Sequence, residues 1–165
     1  MNSFQLKIIA CILMAIDHVG AIMFPDIDLY RIIGRLSFPI FAFLLTEGYV
    51  HTRNLKKYFI RLFIFAIIPQ IPYSLAFGID ILNIFFTLFF GMLAILVDDK
   101  INNVYKKWGL ILGIVAISEL LHMDYGYYGI IMIFLFKKYK DNWKNLVITL
   151  ILLNISIYPI WDLQV

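Results

Sequence analysis

Four ionisable residues stand where a lipid-soluble sequence should carry none: Asp17 and His18 late in one apolar run, Arg31 and Arg35 at the start of the next. A charged side chain near a bilayer centre costs roughly 2.5 to 3.5 kcal/mol on insertion scales, so such groups are expected to face a partner or a watery cavity. A histidine beside a carboxylate suits general-base chemistry. The carboxylate fixes the imidazole tautomer and stabilises its protonated form, while the other ring nitrogen takes a proton from a nucleophile. Arginines four residues apart share a helix face and can bind an anion or a developing oxyanion. Helix neighbours point about 100° apart, which leaves Asp17 a choice between His18 and an arginine. Two plainer readings stay open: an ion-pair cluster that holds two helices together, and arginines that snorkel to outer headgroups.

These residues need helices to position them, and composition supplies the class. Of 165 residues, 62% are hydrophobic and 15% charged, with a mean hydropathy of +0.88. That balance is too apolar for a soluble domain and fits an all-α, polytopic integral membrane helix bundle of about six to seven transmembrane helices. Apolar runs near crossing length lie at about 6 to 24, 30 to 50, 57 to 77, 81 to 97, 108 to 122, 124 to 136 and 145 to 161. The fifth and sixth are short, so a tight turn or broken helix around Leu121 to Gly126 is as consistent as two full crossings. The first run lacks the basic start and cleavage site of a secretory signal and reads as a retained helix. Pro39 lies inside the second run and Pro69 and Pro72 near the end of the third, where missing backbone donors should bend or open the helices. The single cysteine, Cys11, excludes an intramolecular disulfide and reads as a structural thiol whose burial suppresses its reactivity.

Lysine and arginine placement orients the bundle. The joins at 51–57, 98–107 and 137–144 hold most of the basic residues, whereas those at 25–28, 78–80 and 123–124 hold none. The positive-inside rule therefore makes the N-terminus and the basic joins cytoplasmic. Those joins also account for the net charge of +3, which gives no support for nucleic-acid binding.

Two further polar groups follow from the pattern. At the inner end of the second run, Glu47 and His51 are four apart and are followed by Arg53, Asn54, Lys56, Lys57 and Arg61. Such a basic mouth suits the phosphates of a coenzyme or the headgroups of anionic membrane lipids, the commoner use. Glu47 still needs a partner one turn inside the membrane, which His51 or Arg53 can supply. On the outer face Glu119, His122, Asp124 and Tyr125 gather around a turn, with too few well-spaced ligands for a metal site. Asn83 and Thr87, also four apart, suit either the cavity or hydrogen bonds between helices. A membrane enzyme accommodates this set; so does a transporter of protons or anions, or a partner subunit that uses polar residues as interhelical glue.

Taken together, the segments Lys7 to Ala10 and Met14 to Gly20, Arg31 to Leu45, Glu47-Gly48, His51 to Asn54, Lys57-Tyr58 and Arg61-Leu62 resemble the TraX family of membrane proteins, named for the pilin N-terminal acetylation protein of conjugative plasmids. Weaker matches run from Asn83 to Gly91 and at Asp124-Tyr125-Gly126 with Gly129. The resemblance covers nearly the whole chain. It implies a multi-pass protein of the bacterial cytoplasmic membrane that moves an acetyl group from acetyl-coenzyme A to an amine or hydroxyl, such as a peptide N-terminus or a glycan. TraX-like proteins also look similar to larger sugar-modifying membrane acyltransferases, in which a first-helix histidine and nearby arginines form the active site. Carried onto this chain, that implies His18 as general base and Asp17 as its orienter or charge partner. Arg31 and Arg35 would bind acyl or phosphate oxygens, and Glu47, His51 and Arg53 would shape the cytoplasmic mouth for the coenzyme. The family continues through further apolar helices that include a tyrosine-proline-x-histidine element. Nothing of that form follows Trp161, so a single transmembrane domain over residues 1–165 without those helices is expected.

Overall fold

The computed structural model describes residues 2–78 and 80–161, with side chains described through residue 156. The end of the expected domain, residues 162–165, lies outside the described part. Among the described residues the chain forms nine helices: α1 (Ser3–Met23), α2 (Asp28–Gly34), α3 (Ser37–His51), α4 (Leu55–Ile67), α5 (Gln70–Phe77), α6 (Ile84–Lys100), α7 (Val104–Leu120), α8 (Gly126–Lys138) and α9 (Trp143–Trp161). The expected runs map onto these helices in order, with α2 and α3 sharing the second run and α4 and α5 the third. The fold is an all-α membrane helix bundle. Three apolar stretches, Ser3–Met23, Asp28–His51 and Leu55–Phe77, are long enough to cross a membrane. α6, α7 and α8 are shorter, at 17, 17 and 13 residues; α6 and α8 pack in the inner part of the bundle, whereas α7 buries only Ile111, Ile114 and Ser118.

Local chemistry sets the helix limits. Asn2 and Gln5 form a reciprocal capping box at the start of α1, with the Gln5 N–H donating to Asn2 Oδ1 at 2.8 Å and the Asn2 N–H to Gln5 Oε1 at 3.0 Å. Asn54, Asn83 and Asn103 cap α4, α6 and α7 in the same acceptor role. The second run breaks at Arg35 and Leu36, just ahead of Pro39. Pro39 thus sits in the first turn of α3, where its missing N–H forfeits no helical bond. The third run breaks where α4 ends at Ile67 and Pro69 becomes the N-cap of α5.

One core cluster runs through the middle, with Phe38, Met92, Ile95 and Ile133 fully buried and α3, α6 and α8 meeting around them. α1 lies against α2 and α3 and keeps its other face outward, and that face carries Cys11. The thiol is exposed on the outside of the bundle, not buried as the sequence suggested, because the face of α1 that packs inward carries Ala10, Met14 and Gly20.

Candidate active site

A cavity of about 490 Å³ opens at the end of the bundle opposite the basic joins, where α1, α2, α5 and the α7–α8 turn converge. α1 contributes Asp17 and His18, and α2 with its C-cap contributes Arg31 and Arg35. Tyr73 and Phe77 come from α5; Glu119, His122, Asp124 and Tyr125 come from the turn and the adjoining helix end. The structure thereby joins two groups that the sequence presents separately, the α1–α2 charges and the outer-face cluster.

Close approach of α1 and α2 makes this possible. Gly34 is buried against Asp17, and a Cβ at that position would overlap the Asp17 side chain and backbone. With the helices this near, Arg31 Nη1 donates to Asp17 Oδ2 at 3.1 Å. Asp17 Oδ1 is buried and has no hydrogen-bond partner among the described residues. Asp17 therefore pairs with an arginine rather than with its neighbour His18.

His18 is oriented by the backbone instead. Its Nδ1 lies 2.6 Å from the Met14 carbonyl, one turn earlier. A carbonyl can only accept, so Nδ1 carries a proton, and in the neutral ring that tautomer leaves the Nε2 lone pair available. The ring is walled edge-on by Phe77, with centroids 5.2 Å apart, and by Tyr73 at 6.1 Å. A neutral histidine with a free Nε2 beside an Arg–Asp pair can accept a proton while the guanidinium faces developing negative charge.

The α7–α8 turn forms the opposite wall. His122 and Tyr125 adopt left-handed conformations, with φ of 46° and 62°, which non-glycine residues rarely take and which cluster at functional sites. The turn is pinned to the segment before α6: the Leu82 N–H donates to the His122 carbonyl at 3.0 Å, and the Asp124 N–H to the Leu82 carbonyl at 2.8 Å. The Thr87 hydroxyl donates to the Asp124 carbonyl, so Thr87 locks the turn from beneath and does not line the cavity. Glu119 Oε1 accepts from the Tyr127 N–H at 2.7 Å and so serves the free first turn of α8. Burial, reinforced by the Asp17 charge, pushes the Asp124 carboxyl up to about 6.

The other predicted residues lie at the far end of α3. Glu47 Oε1 pairs with Lys140 Nζ at 3.2 Å, and Glu47 Oε2 lies 3.5 Å from His51 Nδ1. His51 Nδ1 also faces the Glu47 carbonyl at 2.9 Å, and Arg53 is exposed in the α3–α4 join. None of the three lines the cavity. Lys107–Asp98 and Lys137–Asp99 pairs, at 2.8 and 3.2 Å, complete this end. The sequence reading missed Tyr73 and Phe77, although their four-residue spacing after the Pro69 break was a usable signal for one helix face. It also missed Lys140, whose pairing with Glu47 depends on a tertiary contact.

The family model described as "TraX protein" matches residues 3–161. A probable fimbrial assembly protein, FimC of serogroup H1 from Dichelobacter nodosus, is 31% identical over 180 residues, covering 99% of this chain and 73% of that protein. An uncharacterised protein of Rickettsia prowazekii (strain Madrid E) is 38% identical over 72 residues, covering 44% of this chain and 27% of that protein. No solved structure matches.

Proposed function

Because the chain belongs to the TraX family, we propose that it is a multi-pass membrane acetyltransferase that moves an acetyl group from acetyl-coenzyme A to an amine or hydroxyl acceptor. The observation that carries this reading is the placement of His18, its Nδ1 tied to the Met14 carbonyl and its ring in the same cavity as the Arg31–Asp17 pair. The acceptor nitrogen or oxygen attacks the thioester carbonyl carbon and gives its proton to His18 Nε2. The carbon–sulfur bond breaks, and the proton passes on to the leaving thiolate, which departs as coenzyme A. Arg31 and Arg35 bind acyl or phosphate oxygens as charge develops. Asp17 holds Arg31 in place.

The basic end faces the cytoplasm on this reading, as the positive-inside rule requires, and the protein belongs to the bacterial cytoplasmic membrane. Glu47, His51 and Arg53 then shape the mouth on the donor's side. The fully buried Phe38, Met92, Ile95 and Ile133 fill the bundle between the two ends, so a donor arriving from that mouth must part α3 from α6 or α8. The fimbrial relative supports an acceptor in pilus assembly, such as a peptide N-terminus, and a glycan hydroxyl fits the same chemistry.

His18→Ala is expected to abolish acetyl transfer from labelled acetyl-coenzyme A while the protein keeps its melting temperature. Undiminished transfer would remove the assigned base. A second reading, transport of protons or anions, draws on the two broken rods α2–α3 and α4–α5. Coenzyme A should raise the melting temperature of an acetyltransferase through binding to the native state; proteoliposome flux with no coenzyme A effect would favour the transporter.

A further inference from the structure

Gln70 opens α5 at the break in the third rod, and its side chain is used completely. Gln70 Nε2 donates to Ser74 Oγ at 3.0 Å and to the Ile81 carbonyl at 2.9 Å. Gln70 Oε1 accepts from the Asn83 N–H at 2.9 Å and from Asn83 Nδ2 at 2.7 Å. Asn83 is equally engaged: Nδ2 also donates to the Ala66 carbonyl at 2.8 Å, and Oδ1 accepts from the Phe85 N–H at 3.0 Å. Two amide side chains thus tie the end of α4, the start of α5 and the start of α6 into one fully satisfied network, an arrangement that specifies a single geometry.

Little else holds α5. None of its residues is buried, and Ile71 and Leu75 are 72% and 80% exposed. Its half-buried face is Gln70, Tyr73, Ser74 and Phe77, the spacing of one helix side. The helix starts at Pro69 and ends at Gly78, whose φ of 64° is left-handed and around which a Cβ would meet nothing within 4 Å. A short helix with soft ends and one polar anchor carries both rings that cover His18.

We propose that Gln70 is a positioning residue: with Asn83 it forms a latch that holds α5 so that Tyr73 and Phe77 cover His18, and releasing the latch opens that side of the cavity to the acceptor. The acceptor's part in this statement rests on the acetyltransferase reading. The cover over His18 does not.

The test uses the full chain in lipid nanodiscs with diethyl pyrocarbonate, which acylates neutral imidazole nitrogens, and mass spectrometry to follow His18, His51 and His122 separately. In Gln70→Ala, His18 should react roughly tenfold faster as the lost hydrogen bonds raise the open population, with exposed His51 unchanged as the internal reference. Gln70→Glu keeps the acceptor but loses both donors and should give a smaller increase; it decides the matter if Gln70→Ala does not fold. The double substitution Tyr73→Ala with Phe77→Ala should expose His18 with the latch intact. A His18 rate unchanged relative to His51 in the folded latch variants, or in the double variant, would overturn the proposal. Where transfer is measured, Gln70→Ala should change KM for the acceptor more than KM for acetyl-coenzyme A. Faster His18 modification in a protein that transfers no acetyl group would keep the latch and reject the enzyme reading; His18-dependent transfer with unchanged His18 modification would keep the enzyme and reject the latch.

Discussion

His18 and His51 are the same device in two settings. Each ring directs Nδ1 at the carbonyl four residues earlier, Met14 at 2.6 Å and Glu47 at 2.9 Å, so each holds its tautomer by the same local bond. Their surroundings differ. His18 lies under two aromatic rings in a cavity that also holds the Arg31–Asp17 pair. The His51 side chain is 67% exposed, and its carboxylate neighbour is shared with Lys140. At the cavity end charges converge on a space, and at the basic end they neutralise one another across helix ends. The first arrangement has room for a substrate; the second ties α3 to the α8–α9 join and gives that end of the bundle its basic character.

Substitutions should separate the two ends by size of effect. The largest contrast is expected between His18→Ala, which should eliminate transfer, and His51→Ala, which should leave kcat at saturating acetyl-coenzyme A within about twofold, since only the former removes a proton acceptor from the cavity. Arg31→Ala should lower kcat/KM by about 10²-fold, the scale of losing one preorganised donor to a developing oxyanion. Gly34→Ala acts through the scaffold. It forces α2 off Asp17 and should destabilise the fold by about 1 to 3 kcal/mol, read as a lower melting temperature. Lys140→Ala is expected to be the mildest, below about 1 kcal/mol in stability and without effect on transfer, because its pair with Glu47 is partly exposed and screened. An Arg31 variant milder than the Lys140 variant in transfer would reverse the comparison.

Much of this division was legible before any coordinates. Charges inside apolar runs marked Asp17, His18, Arg31 and Arg35, and the physics of lipid made a shared cavity the natural destination. Basic joins alternating with acidic ones marked the two ends. What escaped was the convergence of distant segments. The turn at Asp124 reads locally as a loop edge, and only its backbone pairing with Leu82 brings it over α1. Likewise, Pro69 announced a bend in the third run, but not that the piece beyond it would place Tyr73 and Phe77 against His18. The choice Asp17 makes between His18 and Arg31 depends on how closely α1 and α2 approach, which Gly34 permits and periodicity does not encode.

The most direct test of the central claim, that the outer cavity and not the basic end holds the reacting groups, is an experimental structure with coenzyme A bound. The thiol end is expected in the cavity, within hydrogen-bonding reach of His18 Nε2 and beside Arg31. A thiol seated instead among Glu47, His51 and Arg53, with the outer cavity free of ligand, would contradict it.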